Sequence, residues 1–275
     1  MQRLSDPAPV LAKVLDRSDG RAIFGTDASG YHSARIGYPD ELYAHLLARV
    51  GPHPRILEIG AGTGLATEAL LQFQPRSYTI VESDPALGTY LTDKFGNAGN
   101  EIMVGPYPDV SGAGPYDLMA CAAAFHWLDP DAALPQIRQS LAPDGVWAMW
   151  WNSYLNPGIG DPLADAIMPL LDGIALPPSV GRDGHASLDA GHYIPLLEGH
   201  GFTAIEHEVY THHRTSTADE IRALFATYSF VRLLPEAQQK RLLDDIRHLI
   251  IDRFDNAVPN RVLTAYYSAK AVHLD

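Results

Sequence analysis

Apolar runs of strand length alternate with amphipathic stretches of helix length along most of the chain, punctuated by glycine and proline. Pro39 followed by Asp40 and Glu41 opens a first helix, because proline is tolerated in a first turn and carboxylates favour the positive helix end. Leu42, Leu46, Leu47 and Val50 supply its apolar stripe. After the break at Gly51-Pro52, the pattern predicts strands at Arg55–Ile59, Ser77–Glu82, Glu101–Val104, Tyr116–Ala120 and Gly145–Trp151. Helices are predicted between them at Gly64–Phe73, Ala86–Phe95 and Asp131–Leu141, the last stopped by Pro143-Asp144-Gly145. Parallel strands need crossover connections, usually helical, so this order implies an α/β, mostly parallel, doubly wound sheet covered on both faces.

The flanks differ in texture. Met1–Gly30 mixes Pro, Asp, Ser and Gly and reads as a loose arm, which with the first helix makes an N-terminal cap over 1–50. The α/β core is expected over 51–151. Asn152–Gly191 breaks the rhythm with Pro157, Pro162, Pro169, Pro177 and Pro178, so 152–192 reads as a helical insertion or lid. The pattern resumes over 193–275: a helix near Tyr193–His200, a strand Phe202–Tyr210, helices Ala218–Tyr228 and Glu236–Asp255, and a β-rich Arg261–Val272.

Charge and cysteine content narrow the partners. Lys plus Arg number 20 against 33 Asp plus Glu, a net charge of -13, so the long-range field repels phosphate backbones and anionic headgroups; nucleic acid and membrane partners are not expected. Cys121 is the single cysteine, which removes intramolecular disulfides and cysteine-rich zinc sites. The N-terminus lacks a signal-peptide pattern and no apolar run reaches membrane-spanning length, so the cytoplasm is the expected location. Oligomeric state is not readable.

The densest chemistry is ILEIGAGTG, Ile56–Gly64: an apolar strand carrying Glu58, then glycines at 60, 62 and 64. Without side chains these let the backbone turn sharply and let a ligand approach the main chain. A dinucleotide fingerprint would place its third glycine at 65, where the chain has Leu65, so an NAD-dependent oxidoreductase is the weaker reading. Glu82 ends the second strand, where a carboxylate can accept hydrogen bonds from both hydroxyls of a ribose. Glu58, Glu82 and Asp84 at this end of the sheet, with no loop lysine, favour a nucleoside without phosphates. Glu58 could accept from an ammonium or from nearby backbone donors. S-adenosylmethionine satisfies these demands.

LEIGAGTG, Glu82 in IVESDP, YDLMACAAAFHWLDP and LAPDGVWAMWWN together resemble the class I S-adenosylmethionine-dependent methyltransferases. YHSARIGYP, LEGHGF and TADEIRALFATYS resemble the small-molecule subgroup related to trans-aconitate methyltransferase. The resemblance implies a Rossmann-like class I sheet, with Gly60, Ala61 and Gly62 beneath the methionine part of the cofactor, Glu82 on the ribose, and Ser83 and Tyr107 beside the adenine. It also implies that Ala123, after the fourth strand, lies in the cofactor site and that Tyr31 and Arg35 close over the cofactor, the guanidinium available for its carboxylate. Two departures are Ile36 in place of the proline common in RPGYP, and the lack of a carboxylate before Tyr107, the nearest being Asp109.

Transfer from a sulfonium to an oxygen, nitrogen or carbon of a small acceptor needs alignment and exclusion of water more than acid–base help. His126, after the fourth strand, is the candidate base, because histidine titrates near neutrality; a structural hydrogen bond shaping the loop is the alternative. Trp127, Trp150, Trp151 and Tyr154 form either an acceptor wall or ordinary core, and period-2 alternation sends Trp150 and Trp151 to opposite faces. Tyr228 and Arg232 either reach the acceptor or pack. Asp117 more simply orders the fourth strand. His207, His212 and His213, and the set His185, His192 and His200, match no ligand spacing, so no metal is expected. A non-catalytic nucleoside-binding protein remains a second alternative.

Overall fold

The computed structural model describes residues 28–156, 160–174, 176 and 186–272. The arm before residue 28, part of the expected insertion, Arg182 and His185 lie outside these residues. Seven strands form one sheet: β1 Arg55–Ile59, β2 Ser77–Glu82, β3 Glu101–Val104, β4 Tyr116–Ala122, β5 Leu141–Ser153, β6 Phe202–Ser216 and β7 Val258–Ala271. Their order is β3-β2-β1-β4-β5-β7-β6. The first five run parallel; β7 is antiparallel to both β5 and β6. This is the Rossmann-like fold of the class I methyltransferases. β1 sits between β2 and β4, so the chain reverses its direction of winding there, and the crevice that such reversals open lies beyond the carboxyl ends of β1 and β4.

The helices are α1 Ala28–Ala34, α2 Asp40–Val50, α3 Leu65–Leu70, α4 Pro85–Phe95, α5 Pro130–Ser140, α6 Pro162–Ile167, α7 Ala190–Gly199, α8 Ala218–Ala226, α9 Ser229–Arg232 and α10 Glu236–Phe254. Several begin as local chemistry dictates. Asp84 accepts from the amides of Ala86 and Leu87 with Pro85 in the first turn, and Thr217 and Glu220 form a reciprocal capping box. Residues 141–145 do not form the expected stop between helix and strand: β5 starts at Leu141, and the disturbance is absorbed by a register shift against Tyr116 and Leu118 with Asp144 at φ 64°. β6 likewise runs past Tyr210 to Ser216, because β7 supplies a partner along that whole length.

Alternation along β5 sorts two cores. Val146, Ala148 and Trp150 face α2, α3 and α4 together with Leu42, Leu46, Leu70 and Leu91. Trp147, Met149 and Trp151 face the other layer with Leu134, Ile137, Leu197 and Tyr267. A fully buried leucine or isoleucine contributes about 1.5–3 kcal/mol, so these two layers hold the sheet between its helices. A third cluster joins α6 to α8, α9 and α10 through Leu163, Ile167, Ile221, Phe225, Val231 and Ile246, forming a helical cap beyond the end of β5. Asp117 anchors the opposite end of the sheet by accepting from the backbone amide and the guanidinium of Arg55.

The expected helix at 64–73 begins one residue late, at Leu65, because Gly64 adopts φ 82°. A Cβ on Gly64 would lie 2.3 Å from the Phe95 ring. Gly64→Ala therefore combines left-handed strain with a core clash and should lower unfolding stability by about 2 kcal/mol or more, read as a reduced urea midpoint at unchanged slope.

Candidate functional site

The site is built where β1 ends. Gly60 donates its amide to the Val81 carbonyl at 2.8 Å and turns away at φ 69°; Gly62 follows at φ 61°. Their reasons for being glycine differ. A Cβ on Gly60 would lie 2.5 Å from Cβ of Ala124, so the turn after β4 rests directly on the loop. A Cβ on Gly62 would meet nothing within 4 Å among the described residues, so bare main chain is open to a ligand there. Beside it, Oε2 of Glu82 accepts from the Gly62 amide at 2.8 Å, while Oε1 accepts from the Asp84 amide at 2.9 Å and the Ser83 hydroxyl at 3.3 Å. Burial pushes the Glu82 carboxyl up, against the pull of these donors. The second strand's carboxylate and the loop are thus one hydrogen-bonded unit.

Glu58 departs from expectation. It is fully buried beneath the loop, with Oε2 accepting from Thr67 Oγ1 and the Tyr78 hydroxyl, both at 2.6 Å. It does not face the open side of the loop, because the alternation of β1 turns it into the layer of Tyr43 and Tyr78. Among the described residues Oε1 has no hydrogen-bond partner, nor does the buried hydroxyl of Tyr43. Burial, outweighing the two donors, raises the Glu58 carboxyl to about 7.

The other side chains divide between the cleft and the core. Tyr107, expected beside the adenine, is buried among Val81, Met119 and Cys121, and its hydroxyl has no partner among the described residues. Ala123 takes φ 53° while its amide donates to the Trp150 carbonyl at 2.7 Å. A non-glycine residue in this region is strained, and such strain is commonly stored at functional sites. The turn it makes carries His126, which is exposed on the short 3-10 segment Phe125–Trp127. Trp151 donates its indole N–H to His126 Nδ1 at 3.2 Å. Trp150 and Trp151 do face opposite layers, yet both are buried, so neither offers a broad open face as an acceptor wall.

Arg35 is turned from the position expected for a cofactor carboxylate toward the C-terminal helices. Its Nε donates to Thr227 Oγ1 at 2.9 Å, and its guanidinium lies 5.2, 5.2 and 4.7 Å from the ring centres of Tyr31, Tyr154 and Tyr228. Arg232 Nε donates to the Ala226 carbonyl at 3.0 Å. Sequence reasoning missed His32, whose Nδ1 lies 3.1 Å from Thr63 Oγ1 in the glycine loop and whose Nε2 lies 3.2 Å from Lys94. Burial and Lys94 lower the titration of His32, the ring that pins α1 to the loop. His207 stacks on Tyr267 at 4.6 Å, and His200 joins the Leu196 carbonyl to Asp131. No group of three His, Cys, Asp or Glu among the described residues could hold a metal ion, and no described helix is long and apolar enough to cross a membrane.

With this geometry established, residues 57–147, from the middle of β1 into β5, match the methyltransferase domain family. This stretch of the chain is similar to a methyltransferase domain. Its enzyme class is therefore methyl transfer. An uncharacterized methyltransferase of Schizosaccharomyces pombe is 27% identical over 92% of this chain and 98% of its own length. An uncharacterized methyltransferase of Mycobacterium tuberculosis is 28% identical over 85% and 88%. Among solved structures, an S-adenosylmethionine-dependent methyltransferase from Thiobacillus denitrificans, in complex with S-adenosyl-L-homocysteine, superposes with a TM-score of 0.53 at 14% identity, over 90% of this chain and 97% of its own.

Glu58 generates a pH prediction. Because its folded value lies above the ordinary 4.5, the native state holds more protons than the unfolded chain between 4.5 and about 7. This group's contribution to stability therefore falls as pH rises through that window. Glu58→Gln keeps an acceptor for Thr67 and Tyr78 and removes the titration. Its stability relative to wild type should rise by roughly 3 kcal/mol from pH 4 to pH 8, measured by urea unfolding across pH.

Proposed function

We propose that the methyltransferase domain takes its methyl group from S-adenosylmethionine and passes it to an oxygen, nitrogen or carbon atom of a small-molecule acceptor. The observation that carries the donor assignment is the Gly62–Glu82 unit: open main chain beside a buried carboxylate. A carboxylate offers about four acceptor directions. Two are held by the amides of Gly62 and Asp84. The third, taken by the Ser83 hydroxyl at 3.3 Å, is the longest and most readily exchanged, which leaves room for both hydroxyls of a ribose. When bound, S-adenosylmethionine supplies an electrophilic methyl carbon on a positively charged sulfur.

The chain's own residues then orient and enclose. Glu82 fixes the sugar, the backbone at Gly60–Gly62 receives the amino-acid part, and α1, pinned through His32 to Thr63, covers the loop. Positioning of this kind can be worth roughly 7–11 kcal/mol in favourable cases. The strained turn at Ala123 brings His126 to the same end of the sheet. The wider resemblance of YHSARIGYP and TADEIRALFATYS to small-molecule methyltransferases, together with the acidic net charge, supports a small acceptor. The glycine spacing and the methyltransferase match leave an NAD-dependent oxidoreductase without support.

Calorimetry tests the donor. S-adenosylhomocysteine should bind with measurable heat, NADH should not, and Glu82→Gln should weaken S-adenosylhomocysteine by roughly tenfold or more through loss of a charged acceptor. Absence of heat with S-adenosylhomocysteine, or equal affinity in the Glu82→Gln variant, would remove the proposal. Turnover of a labelled methyl donor in fractionated cell extract separates an enzyme from a mere nucleoside-binding protein.

A further inference from the structure

The two borders of the sheet are unlike. β3 is short, Glu101–Val104, whereas β6 runs from Phe202 to Ser216 and pairs on one side with β7; among the described residues no strand lies along its other side. Beyond that ladder, the main chain of β6 is met among the described residues by the Arg49 side chain, at the Ala204 carbonyl. Proteins commonly protect a border strand by brevity, a bulge, lysine or proline. β6 contains neither lysine nor proline, its irregularity lies before Glu206, and from Glu206 to Ser216 its register with β7 is unbroken. Val209, in the middle of this regular stretch, leaves an apolar side chain 41% exposed.

Charge along this border has a direction. Alternate positions of a strand share a face, so Glu206, Glu208, Tyr210, His212 and Arg214 form one row, acidic at its start and basic at its end. Beside a parallel copy of itself the row would set like against like. Beside an antiparallel copy each end meets its opposite, the arrangement that stabilises facing strands. A row complementary to its own reverse favours a second copy of this chain over a foreign strand, which needs no such symmetry. We propose that β6 is a dimerisation edge, at which a second copy adds its own β6 antiparallel across a two-fold axis at Tyr210 and joins the two seven-stranded sheets into one.

In that register Glu206 faces the partner's Arg214, Glu208 faces the partner's His212 and Val209 faces the partner's Thr211, and the axis makes each pair twice. Two of these side chains already have neighbours. Glu206 accepts from His45 and pairs with Arg49, and Arg214 reaches Glu220, yet their side chains stay 45% and 34% exposed, so the facing charge extends an existing network. Glu208 and His212, by contrast, have no hydrogen-bond or ion-pair partner within the described chain. A carboxylate facing an imidazole N–H across the axis supplies one to both. The main-chain groups along the border gain partners in the same step, and Val209 is covered.

Sedimentation velocity and light scattering of the full chain at micromolar concentration test the proposal, and should report a dimer of the 30.0 kDa chain. His212→Glu sets two carboxylates face to face across the axis and should raise the dimer dissociation constant roughly tenfold or more. Adding Glu208→Lys to it should restore dimerisation, because the opposite charges are then exchanged rather than lost. Circular dichroism of each variant should match the wild type, since neither residue has a partner inside the described chain. Should His212→Glu not fold, Glu208→Lys alone, which removes the acid facing His212, should weaken the dimer and decides in its place. A chain that stays monomeric, including one whose border is covered by its own remaining residues, or a dimer indifferent to these changes, would overturn the proposal.

Discussion

The hydrogen bond from the Gly62 amide to the Glu82 carboxylate is the contact on which the site's shape depends. It joins the exit of β1 to the exit of β2, two strands already in register from Arg55 opposite Ser77 to Ile59 opposite Val81. Charge-assisted bonds to backbone amides are roughly twice as strong as neutral ones, and this one is part-buried. With the loop held there, Gly62 leaves its open side uncovered, Gly60 gives way to Ala124, and Gly64 admits the Phe95 ring. Each glycine thus answers a different neighbour, though the sequence shows them as one motif.

That contrast explains what was legible beforehand. The first five strands, their helices and the pairing of a glycine loop with Glu82 follow from period, punctuation and spacing, all of which are local. The misreadings arise where a remote partner decides. Glu58 lies one residue before Ile59 in the loop motif, yet donors at Thr67 and Tyr78 claim it. Arg35 is drawn to Thr227, 192 residues away, and the bond between Trp151 and His126 has no pattern in the sequence to announce it. His32 sits unnoticed beside Tyr31 because a single histidine on a short helix carries no periodic signal. The extended β6 likewise needed β7 to exist before its length had a reason.

The first described helix and the helices that follow β6 meet in one region. α1 reaches the glycine loop through His32 and the helical cap through Arg35, whose guanidinium is enclosed by tyrosines from α1, the end of β5 and the α8–α9 connection. Asn152, at the end of β5, adds hydrogen bonds to the carbonyls of Ile36 and Gly37. A short helix with no buried residue of its own is thereby held by polar and cation–π contacts rather than by a hydrophobic face. Its position is set by the cleft it covers.

The placement of β7 has a consequence for how the chain is made. It lies between β5 and β6, so the thirteen-residue β5, whose side chains alternate between two core layers, has one bare edge throughout the synthesis of more than a hundred following residues. The methyltransferase-matching segment is made before β7, and the free edge of β5 is covered only when that downstream strand pairs antiparallel beside it. A nascent chain stalled before Val258 would present that edge to any passing strand.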